Sequence, residues 1–131
     1  LRTVLPETEE MAAVDRDLLR QALTNLVKNA HEALRDATHP PDIVVTVMGQ
    51  PDSVVLWIDD NGPGIAEPDR ERVFEPYVTG KSDGTGLGLA IVKKVILDHD
   101  GQIEAQVSPA GGARFALMLR RDVALEMPPP S

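Results

Sequence analysis

The sequence predicts a two-layer α/β (α+β) sandwich in which a mixed, mostly antiparallel sheet carries helices on one face. Two long stretches, about residues 15–37 and 85–99, repeat apolar side chains at helical spacing. Four short β-branched or apolar runs, 43–48, 54–58, 102–107 and 114–119, come in two pairs, each joined by a tight-turn sequence. The chain has 131 residues, enough to bury one core and too few for two ordinary domains.

Each element has a local reason. Asp15 is a natural N-cap for the first helix, whose inward stripe is Leu19, Leu23, Leu26, Val27, Ala30 and Leu34. Thr38-His39-Pro40-Pro41 ends it, because proline cannot continue a helix. Gly49-Gln50-Pro51-Asp52 reads as a hairpin turn between the first strand pair, and 59–64 as a loop following it. Residues 67–73 are expected to form a short helix and 74–83 an irregular segment. The second helix turns Leu87, Leu89, Ile91, Val92, Val95 and Ile96 inward and ends at Gly101. A turn at 109–112 joins the last two strands. Residues 1–5 and 11–14 suggest an edge strand or hairpin. The expected domain is 1–122, and 123–131, with three successive prolines, reads as a disordered tail or linker.

Composition excludes several function classes. A net charge of −8 argues against nucleic acid, which needs clustered Lys and Arg. Zero cysteines exclude disulfides, thiolate metal sites and thiol catalysis, and fit a reducing compartment. No apolar run approaches the roughly 18 residues of a membrane span, and no signal peptide opens the chain. Leu1 in place of a methionine points to a piece of a longer protein.

The chemistry lies in two glycine clusters, Asp60-Asn61-Gly62-Pro63-Gly64-Ile65 and Gly84-Thr85-Gly86-Leu87-Gly88-Leu89, about twenty residues apart. Glycines let backbone N–H groups approach phosphate oxygens, and a helix start favours negative charge. Asn25 and Asn29 stand four apart, so their amides share one helical face. An amide oxygen is a hard ligand suited to Mg²⁺. Asp60, beside a tight turn, can accept a hydrogen bond from an adenine amino group. Asp59 is the competing carboxylate, but strand alternation turns it to the opposite side. These parts describe a site for a magnesium–nucleotide complex.

Two other phosphate motifs fail on spacing. Gly80-Lys81-Ser82 mimics the end of a P-loop, yet Glu75 stands where its first glycine belongs. Leu89 occupies the third glycine position of a dinucleotide fingerprint. His31-Glu32 looks like a phosphoacceptor pair, but its place inside the Asn-bearing helix favours an ordinary helix position. His39 and His99 read as helix-end groups.

With these motifs in order, the chain resembles the catalytic and ATP-binding domain of bacterial sensor histidine kinases, within the GHKL ATPase group. Asn25-Leu26-Val27-Lys28-Asn29-Ala30 is similar to that family's N box. Asp60 to Ile65 is similar to its first glycine box, Val73-Phe74-Glu75-Pro76-Tyr77 to its F box, and Gly84 to Leu89 to its second glycine box. Gly111-Gly112-Ala113-Arg114-Phe115 resembles the glycine-rich turn before its last strand. The wording around 75–81 and 86–95 is most like the nitrogen-regulation type.

The resemblance implies the GHKL (Bergerat) fold and transfer of the ATP γ-phosphoryl to a histidine on a separate dimerisation domain, then to a response regulator. It assigns Mg²⁺ to Asn29, phosphate orientation to Asn25 and the adenine contact to Asp60. Gly62, Gly64, Ile65, Phe74 and Tyr77 would shape the nucleotide pocket. Residues 74–83 would form most of an ATP lid, with Lys81 near the phosphates. Gly84, Thr85, Gly86, Leu87 and Gly88 would bring backbone to the triphosphate. It implies a cytoplasmic domain and is compatible with a membrane-anchored parent. Many members carry Lys and an aromatic residue where this chain has Glu32 and Ala33, so those contacts do not carry over. Two alternatives stay open: a GHKL ATPase that hydrolyses ATP for conformational work, which would place Glu where Asn25 stands, and a non-catalytic nucleotide-sensing module.

Overall fold

Asp15 opens the first helix as its sequence demands: the carboxylate accepts the N–H groups of Asp17 and Leu18 at 2.9 and 3.1 Å. The computed structural model describes residues 2–4, 15–76 and 88–121. Within them the order is β1 (Arg2–Val4), α1 (Arg16–Ala33), β2 (Ile43–Gly49), β3 (Ser53–Asp60), α2 (Gly88–Asp98), β4 (Gln102–Val107) and β5 (Ala113–Arg120). Residues 11–14, 77–87 and the tail beyond 121 lie outside the described set.

The sheet runs β1-β2-β3-β5-β4, antiparallel throughout except for the parallel β1–β2 edge. Alternation sorts its side chains onto two faces. One face presents Val54, Leu56 and Ile58 of β3, Phe115, Leu117 and Leu119 of β5, and Ile103 and Ala105 of β4. These bury against Ala22 and Leu26 of α1 and Val92, Val95 and Ile96 of α2. On the other face Arg114 lies 3.7 Å from the Trp57 ring centroid and grips Asp59 with two hydrogen bonds, 2.7 and 3.2 Å. Asp60, last in the row that includes Ile58, belongs to the helix-covered side. The separation expected of the two carboxylates is therefore observed.

Several boundaries differ from expectation. Helix α1 stops at Ala33 rather than near residue 37, because Leu34 leaves helical geometry (φ −100°, ψ 3°) and i→i−3 bonds tighten the final turn. Ala22 joins the stripe and Val27 is only half-buried. Strand β3 continues through Asp60, so 59 and 60 are strand rather than loop: Asp60 pairs with Ile43, and Asp59 with Val44 and Arg114. The short helix expected at 67–73 is instead two 3₁₀ turns, Glu67–Asp69 and Arg72–Phe74. That stretch has no apolar stripe to hold an α-helix so short.

At the end of α2 the left-handed residue is Asp100 (φ 58°), not Gly101. Gly101 is needed for space: a Cβ there would sit 2.6 Å from the Met118 carbonyl oxygen. His99 ties the two helices. Its Nδ1 donates to the Val95 carbonyl (2.7 Å), and its Nε2 accepts the Asp15 N–H (3.2 Å). At the sheet edge, Arg2 forms a two-bond ion pair with Asp42 (3.0 and 2.7 Å), and this hydrogen bonding holds the Asp42 carboxyl below its ordinary range.

Candidate functional site

Asp60 is the centre of the candidate site. Its residue is 1% exposed, yet it is a carboxylate at the end of a core-facing strand. Burying such a group requires hydrogen-bond donors, and backbone supplies them. Oδ1 accepts the N–H of Gly62 at 2.9 Å and of Ala113 at 3.1 Å. The other oxygen, Oδ2, receives no hydrogen bond from the described residues. One oxygen is thus locked by two separate loops, which fixes the rotamer and leaves the second as an acceptor.

The loops meet because the glycines permit it. A Cβ on Gly112 would lie 2.6 Å from Gly62 N and nearer still to the Asp60 backbone and carboxylate, so only glycine fits. Gly64 takes φ 78° and packs against the Gly111 and Gly112 carbonyls, while Gly111 takes φ 95°. Gly62 rests on Ala33, whose carbonyl and Cβ would be 3.2 and 3.5 Å from an added methyl group. Ala33 thus adjoins the Asp60 loop, at the position where the sequence departs from the resembled family.

From Ala33, α1 leads back along the site. At about 1.5 Å per residue, Asn29 and Asn25 stand about 6 and 12 Å along the helix. Both are half-buried, flanking the fully buried Leu26 and Ala30. Asn29 has an interaction partner. Thr24 and Val27 lie on the other flank. There, a groove of about 500 Å³ is lined by Arg16, Leu19, Arg20, Leu23, Thr24 and Val27. It contains neither Asp60 nor a glycine loop and plays no part in this site.

Ile65 is half-buried and packs against the core, and its carbonyl accepts a hydrogen bond from Arg70 Nε (3.2 Å). Phe74 is buried: its ring meets Phe115 edge-on at 5.9 Å, and Lys93 Nζ lies 5.2 Å from its centroid. Gly88 begins α2, where an added Cβ would meet nothing within 4 Å. Packing within the described protein therefore gives no reason for glycine at 88. Tyr77, Lys81, Gly84, Thr85, Gly86 and Leu87 lie outside the described residues. His31 is exposed in the last turn of α1.

The sequence placed Asp60, Gly62 and Gly64 in the site but gave Gly112 and Ala113 only as part of the turn before the last strand, and they complete the cradle from about fifty residues away. The signal was the Gly111-Gly112 pair preceding β5.

Residues 14–123 match the family described as histidine kinase-, DNA gyrase B-, and HSP90-like ATPase. The chain belongs to this family. Nitrogen regulation protein NtrY of Azorhizobium caulinodans is 44% identical over 118 residues, covering 85% of this ATPase-family chain and 15% of NtrY. The mycobacterial sensor histidine kinase MprB superposes with a TM-score of 0.79 at 28% identity, covering 92% of this chain and 80% of that one. Full-length ShkA, solved with AMPPNP, gives 0.75 at 28% identity and covers 90% of this chain and 24% of its own. The sheet and helices are thus those of the GHKL ATP-binding domain of sensor histidine kinases. The chain spans only about a seventh of NtrY's length. No helix among the described residues is long and apolar enough to cross a membrane.

Proposed function

We propose that this chain is the catalytic domain of a two-component sensor kinase: it binds Mg·ATP and passes the γ-phosphoryl to a histidine on a separate helical dimerisation domain. A response-regulator aspartate then receives it. The observation that carries the reading is the buried Asp60 carboxylate, with Oδ1 held by two backbone donors and Oδ2 left to accept the adenine amino group.

The residues present fit a magnesium–nucleotide complex. Gly62 and Gly64 shape the base pocket over Ala33, and Ile65 closes its inner side. Asn25 and Asn29 face the phosphates from α1, with Asn29 oxygen supplying a hard ligand to Mg²⁺. When bound, the ion neutralises charge that builds on the phosphoryl oxygens. Gly88 has open space where a side chain would otherwise stand between the α2 N-terminus and the triphosphate. Lys81, Gly84, Thr85, Gly86 and Leu87 would complete the phosphate side from the 77–87 segment, and Tyr77 would join the pocket wall.

In the transfer, the acceptor imidazole nitrogen donates its lone pair to the γ-phosphorus while the bond to the bridging oxygen breaks, and ADP leaves with those electrons. Imidazole needs no strong base. Phosphoryl transfer depends mostly on positioning and charge neutralisation. Hydrolysis is the rival outcome for this family, and it needs a carboxylate to take a proton from water. Asn25 offers an amide there, which cannot. The metal assignment is tested by titrating ATP with and without Mg²⁺. Asn29→Ala should lose the Mg²⁺-dependent part of the affinity and keep the rest. A variant whose Mg²⁺ dependence matched the wild type would remove Asn29 from the metal site.

A further inference from the structure

The segment between α1 and β2, residues 39–42, is tied to β1 on one side and to the Asp60 loop on the other. Asn61 follows Asp60 directly and is held at three points by this segment. Its Oδ1 accepts the Asp42 N–H (2.9 Å), its Nδ2 donates to the Pro40 carbonyl (3.0 Å), and its own carbonyl accepts from His39 Nε2 (2.7 Å). The peptides flanking Asn61 belong to Asp60 and to Gly62, which donates to Asp60 Oδ1. Displacing Asn61 therefore displaces both the carboxylate and one of its two locks.

The far side of the segment reaches the sheet edge. Asp42 carries its backbone N–H to Asn61 and its carboxylate to Arg2, whose guanidinium makes both hydrogen bonds of a planar pair. Arg2 belongs to β1, which among the described residues pairs with β2 as Arg2↔Val44, Thr3↔Val45 and Val4↔Thr46. The Asp42 ion pair adds a side-chain tie to that ladder.

We infer that Arg2, Asp42 and Asn61 form a positioning relay through which docking of β1 sets the affinity of the Asp60 site for nucleotide. The inference rests on the nucleotide reading above and adds regulation to it. Linkage makes the coupling reciprocal: if docked β1 favours nucleotide by some factor, bound nucleotide favours docked β1 by the same factor. A partner or neighbouring domain that pulls β1 off the sheet would therefore lower nucleotide affinity without entering the site.

The test uses the 131-residue chain, with calorimetric titration of Mg·ATP and residue-resolved amide exchange in β1. Asn61→Ala should weaken binding at least about tenfold. Arg2→Gln and Asp42→Asn, at an exposed pair, should each weaken it about two- to fivefold. The charge-swapped Arg2→Asp/Asp42→Arg chain should recover most of that loss. In the wild type, saturating Mg·ATP should slow exchange of the β1 amides; in Asn61→Ala, saturated at higher nucleotide concentration, it should not. Thermal melts confirm that each variant is folded, and the exposed Arg2 and Asp42 variants keep the test available if Asn61→Ala is not. Wild-type affinity in Arg2→Gln and Asp42→Asn, with β1 exchange indifferent to nucleotide, would overturn the relay while leaving the nucleotide site standing. A wild-type chain that bound no Mg·ATP would overturn both.

Discussion

Replacing Asp60 by Asn changes one atom and reverses its hydrogen-bonding sense. With its amide oxygen in the Oδ1 position, the new side chain still accepts from Gly62 and Ala113, and its NH₂ takes the place of Oδ2. A donor then faces the adenine amino group, which is also a donor. A hydrogen bond to a charged acceptor is worth about 1.5–3 kcal/mol, and about 1.4 kcal/mol is a factor of ten, so ATP affinity should fall roughly 10- to 100-fold. Guanine offers an acceptor oxygen at the same ring position, so discrimination against GTP should shrink or invert. Calorimetry with both nucleotides reads the two effects, and a melt without nucleotide should show little change. Asp60→Ala is the wrong variant: it strands two buried N–H donors at about 1–3 kcal/mol each and confuses folding with binding. An Asp60→Asn chain that kept wild-type affinity and preference for ATP would refute the assignment of the adenine contact.

Two glycines should behave oppositely. Gly112→Ala drives a methyl group into backbone at Gly62 and Asp60, so melts should show a loss of about 1–3 kcal/mol, and ATP affinity should fall with it. Gly88→Ala meets open space and improves helix propensity by up to about 1 kcal/mol, so the chain should be no less stable while calorimetry shows weaker ATP binding.

Local patterns made much of this fold legible. The Asp15 cap, the Leu26–Ala30 stripe and the hairpin at 49–52 are short-range signals, and each appears where the residues placed it. The choice of Asp60 over Asp59 rested on its spacing to Gly62 and Gly64, with strand alternation turning Asp59 to the other side. What could not be read locally was where β3 ends: Asp60 is drawn into the strand by Ile43 across the ladder, which no feature of 59–64 announces. The turn holding Gly112 and Ala113 was visible, but its place at Asp60 was hidden for a related reason. Only the antiparallel β3–β5 register brings them to Asp60. Residues 67–73 carry turn and charge signals that suit either a short helix or tight turns, and the burial of Phe74 against Phe115 sits with the tighter 3₁₀ form. At the end of α2, glycine marked a stop correctly but for a different cause, since Gly101 yields room to Met118 while Asp100 takes the left-handed turn.

The most direct test of the central claim follows the γ-phosphoryl itself. The chain is mixed with [γ-³²P]ATP, Mg²⁺ and the separate helical domain proposed to carry the acceptor histidine. Label should move to that histidine as acid-labile phosphohistidine. The chain alone should hydrolyse ATP very slowly, and His31→Ala should transfer as the wild type does. Rapid multiple-turnover hydrolysis by the isolated chain, or transfer lost on His31→Ala, would contradict the account.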